Sequence, residues 1–360
     1  GSLCSLKDFS ALITLWPTRP GSGEQTLISH QDSTSGWSLF LDDEGCLTAE
    51  LRKAGDTRKF RLEGSLRERK WYQAWLTYDA QTSKLTLGKA ILDPGLKSED
   101  QIGSSTDYTF ESVSQEIPFL IGAQFSGPID SHFNGKLEEP KIFFRSLNQQ
   151  EIEQAFSGKI PDGLLARWDF SREIPTSRMI DLGPENLEGS LVNCPARGMT
   201  GSNWKGKEMC WRHAPEDYGA IHFHEDDIYD FGWDTDFTIH LGEDLQSGIY
   251  AVKLECEGNE DFIPLFVLPA RRKREADLCV LVSTFTYTVY GNHARPDFKD
   301  RWRERIRDWN AYPHNPADFR HYGLSTYNFH SDNSGICYAS AQRPLMNLRP
   351  GYITFGEGNG

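Results

Sequence analysis

The 360-residue chain lacks several features that would assign a function directly. Its seven cysteines are scattered, and no two stand at C-x-x-C spacing, so neither a disulfide framework nor a zinc site is indicated. No apolar run approaches the roughly 18 residues of a membrane span, and no secretory signal is recognisable. The chain also has no serine nucleophile elbow and no Cys–His motif, which weighs against the common acyl-transfer enzymes. The sequence therefore predicts reduced thiols in a cytoplasmic protein without a membrane partner.

Positive charge is scarce as well. Acidic residues number 52 against 38 basic residues, which gives a formal net charge of -14. Nucleic-acid binding depends on clustered cations that contact phosphates, so no nucleic-acid partner is expected. Only Arg271–Glu275 (RRKRE) is locally basic. This run is interpreted as a solvated linker at a domain junction, with a nucleic-acid or anion site as the alternative.

Short β-like segments separated by turn residues fill the chain from Phe9 to about Asn193. Several of them alternate between two kinds of side chain, as in the segment around Trp75, which is typical of sheets with one inward and one wetter face. The composition, 38% hydrophobic and 12% aromatic, is ample for packed cores. We therefore predict an antiparallel two-sheet sandwich with Trp75 and Phe143 inside.

The β character continues from Asn203 to Leu268, and we predict a small β-sandwich-like unit there. Within it, His222 and His224 are two residues apart and share a face if they lie on a strand. Acidic residues follow at once, which would suit a metal site, but the sequence places no third ligand. Surface histidines are the preferred interpretation.

One turn of the first region, Asp42–Glu44, offers three carboxylates in succession. Calcium binding is one hypothesis for it, although no further oxygen donors follow at a recognisable spacing. The alternative is a hairpin tip that needs no ligand.

The stretch Leu278–Asn292 (LCVLVSTFTYTVYGN) is an apolar run that turns polar and aromatic. Its apolar part does not alternate, which predicts a strand covered on both faces, as in a parallel sheet flanked by helices. The polar residues at its carboxyl end would then line a site, together with a second polar cluster at Gly323–Tyr352. A helix is predicted between the two clusters from four residues at helical spacing. These are Phe298, Trp302, Ile306 and Trp309.

About seventy residues follow Tyr290, whereas a typical domain has roughly 100 to 150. We therefore expect a mainly β protein that continues into an incomplete α/β domain, as an internal piece of a longer chain. The expected domains are a sandwich at 3–200, the small β unit at 201–275 and the beginning of the α/β domain at 276–360.

Four segments of the first region also carry a family resemblance. In order they are GWSLFLDDEG, KWYQAWLTYDAQTSKLTLGKA, PFLIGA and HFNGKLEEPKIFFRSLNQQEIEQAF. Their order resembles the concanavalin A-like (laminin G-like) jelly-roll family. This resemblance implies a jelly-roll sandwich, but the fold does not fix the function. A carbohydrate- or partner-binding module without catalysis is therefore one hypothesis, and a structural segment of a large oligomer is another.

The two polar clusters, VLVSTFTYTVYGN and GLSTYNFHSDNSGICYASAQRPLMNLRPGY, together resemble the large (beta) subunit family of bacterial N,N-dimethylformamidase. The preceding order of WDFS, GMTGSNW, PEDYGAIHFHEDD, SGIYAVKL and PLFVLP is similar to that family too. The resemblance implies an amidohydrolase that cleaves a small N-substituted formamide to an amine and formate. It also implies a ferric ion held by two tyrosine phenolates and one glutamate.

Carried onto this sequence, the resemblance assigns the two metal-binding tyrosines to Tyr287 and Tyr327. Tyr290 or Tyr338 would replace one of them in a different register. Asn328 departs from the pattern, because an aspartate is expected after the second tyrosine.

Around such an ion, His330, Asp332 and Arg343 are candidates for orienting the metal ligands or the substrate. The resemblance places the glutamate and the catalytic residues beyond Gly360, so the 360 residues alone are expected to be inactive. A small partner subunit and a homo-oligomer are implied as well.

Overall fold

A computed structural model describes residues 2–271, 276–295 and 300–353 of the chain. The chain divides into two compact units, residues 1–225 and 226–360. Among the described residues, no helix has the length and apolar character that crossing a membrane requires.

The first unit is built from antiparallel strands and one α-helix, α1 (Gln149–Phe156). The strands are β1 (Phe9–Pro17), β2 (Gln25–Gln31), β3 (Gly36–Leu41), β4 (Leu47–Lys53), β5 (Asp56–Arg61), β6 (Tyr72–Asp79), β7 (Lys84–Ile91), β8 (Gln101–Ser105), β9 (Leu120–Ile121), β10 (Gln124–Phe125), β11 (Ile129–Asp130), β12 (Gly135–Phe143), β13 (Leu164–Asp169), β14 (Arg178–Asp181), β15 (Gly189–Ser190), β16 (Ala196–Met199) and β17 (Ala220–Phe223). Short 3-10 helices span Ser2–Ser5, Pro94–Glu99 and Pro215–Tyr218.

Two sheets form the sandwich. One has the strand order β15-β14-β13-β12-β1-β6-β7-β8, with β17 also paired to β12 and β16 paired to β17. The other has the order β5-β4-β3-β2-β9. Alternate residues of β1, beginning with Phe9, enter the core between the sheets, where the Phe9 and Trp37 rings stack with centroids 4.6 Å apart. The predicted sandwich is confirmed, since the chain is mainly β with antiparallel sheets.

Trp75 and Phe143 are buried, as predicted, with 3% and 0% exposure. They do not lie between the two sheets, however. They belong to a second apolar cluster with Leu12 and residues of the α1 region, including Ile152. A side chain on Gly88 would put a Cβ 2.1 Å from the Trp75 indole, so the strand partner of Trp75 has to be a glycine.

The described residues of the second unit form a β-hairpin, two short α-helices and a 3-10 helix. These are β18 (Gly248–Cys256), β19 (Asn259–Val267), α2 (Thr284–Tyr290), α3 (Asp300–Asp308) and the 3-10 helix Pro316–Tyr322. The hairpin differs from the expected sandwich-like unit, because β18 and β19 pair only with each other among the described residues. The sandwich of the first unit also extends past residue 200, since β16 and β17 complete its larger sheet.

The strand predicted from Leu278 onward is absent. The described residues 276–283 are neither strand nor helix, and residues 284–290 form α2 instead. An apolar run becomes a strand only where a neighbouring strand takes up its backbone hydrogen bonds, and none of the described strands lies beside this one. The predicted helix does form as α3, with Trp302 and Ile306 buried and Trp309 exposed. Phe298 and residues 272–275 of the basic run lie outside the described residues.

Candidate functional site

The candidate site lies in the second unit, where a loop that carries Tyr327 packs on α2. The rings of Tyr327 and Tyr290 are stacked, with centroids 4.1 Å apart and an interplanar angle of 20°. A hydrogen bond with the Tyr327 hydroxyl raises the pKa of Tyr290, and desolvation adds to this effect. Both side chains remain partly open to solvent. The structure thus brings two phenol groups together at the end of α2.

Tyr287, the other tyrosine assigned to the metal, lies on α2 one turn before Tyr290. Residues three apart on a helix are neighbours on one face. The Tyr287 ring is 39% exposed and its centroid lies 6.4 Å from that of Phe266. Tyr338, the remaining alternative, is 54% exposed.

Ser325 fastens the Tyr327 loop to α2. It is fully buried, and its hydroxyl donates a hydrogen bond of 2.8 Å to the carbonyl oxygen of Val289 in α2. The same hydroxyl accepts from the backbone amide of Tyr327 at 3.2 Å. The amide of Thr326 also donates to the Val289 carbonyl oxygen, at 3.2 Å. These contacts fix the backbone of Tyr327 relative to the helix.

Asn292, just after α2, joins three segments of the unit. Its Nδ2 donates to the carbonyl oxygens of Gly323 at 2.9 Å and Pro344 at 2.7 Å. Its Oδ1 accepts from the amide of Met346 at 2.8 Å. Its own amide donates to Oδ1 of Asn347 at 3.0 Å. With 1% exposure, Asn292 is the buried centre that holds both polar clusters together.

Arg343 closes the end of α2. Its Nη2 donates to the carbonyl oxygens of Thr288 at 3.0 Å and Gly291 at 2.8 Å, which the helix itself leaves without partners. The side chain is 4% exposed, and burial lowers its pKa to about 10. Arg343 therefore positions the helix that carries Tyr287 and Tyr290.

Asn328 makes a two-way contact with the backbone of Ala294. Its Nδ2 donates to the Ala294 carbonyl oxygen at 2.7 Å, and its Oδ1 accepts from the Ala294 amide at 2.9 Å. An aspartate, which was expected here, could accept but not donate. Asparagine in place of the expected aspartate is therefore explained by the hydrogen bond that Asn328 donates to Ala294.

His330 and Asp332 occupy one tight turn. The His330 Nδ1 lies 2.7 Å from Oδ1 of Asp226, and because a carboxylate only accepts, the imidazole donates this hydrogen bond. The other ring nitrogen lies 3.8 Å from Oδ1 of Asp227. The Asp332 carboxylate accepts from the amide of Ser334 at 2.8 Å and from its hydroxyl at 2.5 Å. Both residues are buried and hold the loop that follows Tyr327.

The surface interpretation of His222 and His224 is wrong. Each is 4% exposed, and their ring centroids lie 4.1 Å apart. His222 belongs to β17, which is paired on both sides, and the edge of its ring meets Trp16. A four-residue strand in the middle of a sheet gives too short a pattern to be distinguished from a surface strand.

The acidic turn at Asp42 is held by internal contacts. The Asp42 carboxylate accepts from the amides of Glu44 and Cys46 at 3.0 and 2.9 Å, and it pairs with Arg61 Nε at 2.5 Å. Glu44 pairs with the same guanidinium. Burial opposes ionisation, but the Cys46 amide and Arg61 hold the pKa of Asp42 below its usual value. These contacts support the hairpin-tip interpretation over a calcium site.

Sequence reasoning missed the roles of Asn292, Asn328 and Asp226. The Gly291–Asn292 pair carries a turn signal, and Asn292 has a φ of 61°, a left-handed conformation that asparagine tolerates better than most residues. For Asn328 and Asp226, whose partners Ala294 and His330 are distant in the chain, no local signal was available.

Comparison with known proteins agrees with this architecture. The family described as concanavalin A-like lectin/glucanases superfamily matches residues 2–153, and the family described as N,N-dimethylformamidase beta subunit-like, C-terminal, matches residues 196–360. The chain therefore joins a concanavalin A-like sandwich to a dimethylformamidase-type C-terminal region.

Relatives extend the match across both parts. The N,N-dimethylformamidase beta subunit of Paracoccus aminophilus is 33% identical over 381 residues, covering 97% of this chain and 50% of the relative. That of an Alcaligenes species is also 33% identical, covering 95% and 49%. The chain is thus similar to N,N-dimethylformamidase beta subunits over nearly all of its residues, and it spans about half the length of these relatives.

Among solved structures, part of the chain is similar to the CBM40 domain of a Ruminococcus gnavus IT-sialidase bound to alpha2,3 sialyllactose. It is 17% identical with a TM-score of 0.36, covering 43% of this chain and 84% of that one. This likeness says nothing about the function of the chain.

Proposed function

We propose that the protein to which these residues belong is an iron-dependent amidohydrolase that cleaves a small N-substituted formamide to an amine and formate. The observation that carries this proposal is the 33% identity, over 97% of the chain, to a curated N,N-dimethylformamidase beta subunit. The proposal also includes a small partner subunit and a homo-oligomer, since a beta subunit by name belongs to a larger assembly.

Tyr287 and Tyr327 are the proposed metal-binding tyrosines. The Tyr327 hydroxyl lies within hydrogen-bonding reach of the Tyr290 phenol, the alternative ligand, and Tyr287 lies one turn earlier on the same helix. A hard cation prefers such oxygen donors and favours their anionic form. When bound, a ferric ion would act as a Lewis acid toward the amide carbonyl and supply hydroxide near neutral pH.

The chain's own residues then act by positioning. Ser325 holds the backbone of Tyr327 against Val289, and Arg343 holds the end of the helix that carries Tyr287. His330 and Asp332 fix the turn that follows Tyr327. In this proposal none of these supporting groups has to touch the substrate. Their purpose is to keep two tyrosine oxygens at one place, which lowers the entropy lost when a ligand is bound there.

The test uses the complete protein with its subunits. Tyr287→Phe and Tyr327→Phe are each expected to abolish iron binding, the visible absorption of ferric phenolate and amide hydrolysis, while the fold remains intact. Phenylalanine keeps the ring and its packing and deletes only the oxygen. If the hydroxyls were only structural, each change would cost about 0.5–1.5 kcal/mol and leave the iron in place.

Tyr312→Phe is the matched control, because it removes a hydroxyl from the same unit and should change neither iron content nor rate. Tyr290→Phe separates the two registers. Full iron content in Tyr287→Phe with loss in Tyr290→Phe would transfer the ligand role to Tyr290. Full iron content in both Tyr287→Phe and Tyr327→Phe would refute the assignment of this pair.

A further inference from the structure

Among the described residues of the second unit, the stretch 278–285 is the most exposed apolar segment. Its large side chains are 88% exposed at Leu278, 73% at Val280, 93% at Leu281 and 81% at Phe285. Isolated exposed apolar residues are ordinary on a protein surface, but a contiguous group of this kind marks an interaction site.

The chemistry of the stretch restricts what can cover it. No charged residue occurs from Leu278 to Asn292, so the covering surface does not need to supply a counter-charge. The segment runs directly into α2, the helix of Tyr287. Whatever packs on this stretch therefore also contacts the beginning of the element that carries the candidate site.

We propose that the stretch 278–285 is a docking surface for a part of the same polypeptide that lies outside residues 1–360. The argument for this occupant is length. The match to the Paracoccus aminophilus relative includes 97% of this chain but only 50% of the relative. The other half of such a protein is therefore long enough to form the cover. A cover from the same polypeptide is present at a high effective concentration, whereas a separate molecule has to be recruited.

Cys279 lies within the stretch and provides the assay. It is exposed in the structure, as are Cys194 in the sandwich and Cys256 in the hairpin, so the two latter cysteines are internal controls. In the complete polypeptide, modification by N-ethylmaleimide is followed at each cysteine by mass spectrometry. We expect Cys279 to react at least tenfold more slowly than Cys256, at every protein concentration and without an added subunit.

Three outcomes would overturn the proposal. Labelling of Cys279 as fast as that of Cys256 would show that nothing covers the stretch. Protection that rises with protein concentration would assign the surface to a second copy of the chain. Protection that requires a separately added subunit would assign it to that partner.

A second measurement does not depend on the cysteine. Leu281→Glu in the complete polypeptide places a charge in the proposed contact and should accelerate labelling of Cys279 at least tenfold. Val192→Glu is the control, because Val192 is 67% exposed in the first unit and its substitution should leave the labelling unchanged. Equal labelling rates in the two variants would contradict the proposal, even where the total yield of Leu281→Glu is low.

Discussion

Asn292 offers the sharpest test of how the candidate site is held together. Asn292→Ala removes two short donated hydrogen bonds, of 2.9 and 2.7 Å, a longer one of 3.4 Å to the Tyr322 carbonyl oxygen, and one accepted bond of 2.8 Å. With a net contribution of about 0.5–1.5 kcal/mol for each of the three short bonds, the local loss should be roughly 1.5–4.5 kcal/mol. The backbone groups of Gly323, Pro344 and Met346 would then be left without these partners.

The substitution also places alanine at a left-handed φ of 61°. Asn333 supplies a matched control, since it has a φ of 67° and an exposed side chain. Asn333→Ala therefore shares the backbone cost of roughly 1–2 kcal/mol but not the loss of the buried hydrogen bonds. The difference between the two variants isolates the contribution of the Asn292 side chain.

Amide hydrogen exchange of the complete protein is the appropriate measurement, because it reports local opening segment by segment. In Asn292→Ala, the protection of segments 323–328 and 344–348 should fall by between about tenfold and about two-thousandfold relative to Asn333→Ala. The protection of β1 and β12 in the sandwich should not change. Equal protection in the two variants would refute the idea that Asn292 joins the two polar clusters.

Two further predictions concern the sandwich. Gly88→Ala brings a Cβ to within 2.1 Å of the Trp75 indole and should destabilise the sandwich by about 1–3 kcal/mol, which thermal unfolding measures. Gly21→Ala is the control, because Gly21 is exposed and an added Cβ there meets nothing closer than 3.9 Å. Burial lowers the pKa of Lys136 from 10.5 to about 8, so the unfolded chain binds more protons between these values and stability should rise with pH across that window. In Lys136→Met this rise should be smaller by up to about 3 kcal/mol, and an unchanged pH dependence of unfolding would contradict the role of Lys136.

The sandwich could be predicted because its information is local. A strand that alternates between two environments shows its inward face in its own sequence, as β1 does with Phe9 and Ile13 on one side and Leu12 on the other. What the alternation could not show is that Trp75 lies under α1 and not between the sheets. The sheet that contains Trp75 is covered on both faces, so apolar residues occur on both faces of its strands and the sequence does not distinguish them.

The candidate site was predicted less completely. The two polar clusters were identified, but the structure shows that they are held together by Asn292 and Arg343 through backbone carbonyls of distant segments. Contacts of this kind leave no periodic pattern. The apolar run from Leu278 misled for a related reason, since hydrophobicity shows that a segment will be covered but not by what or in which conformation.

One edge of β12 pairs with two strands, β17 and β13, and this determines where the sandwich can be cut to produce it as a separate domain. Residues 135–138 of this strand pair with β17 and residues 141–143 pair with β13. A fragment that ends at the β13–β15 region would leave the first half of β12 with a free row of amide and carbonyl groups. Such an open edge is a template for strands of other molecules and favours aggregation. A fragment that includes Glu225 keeps this edge occupied by β17, which makes that residue, and not the end of the recognisable jelly-roll pattern, the natural limit of the folded sandwich.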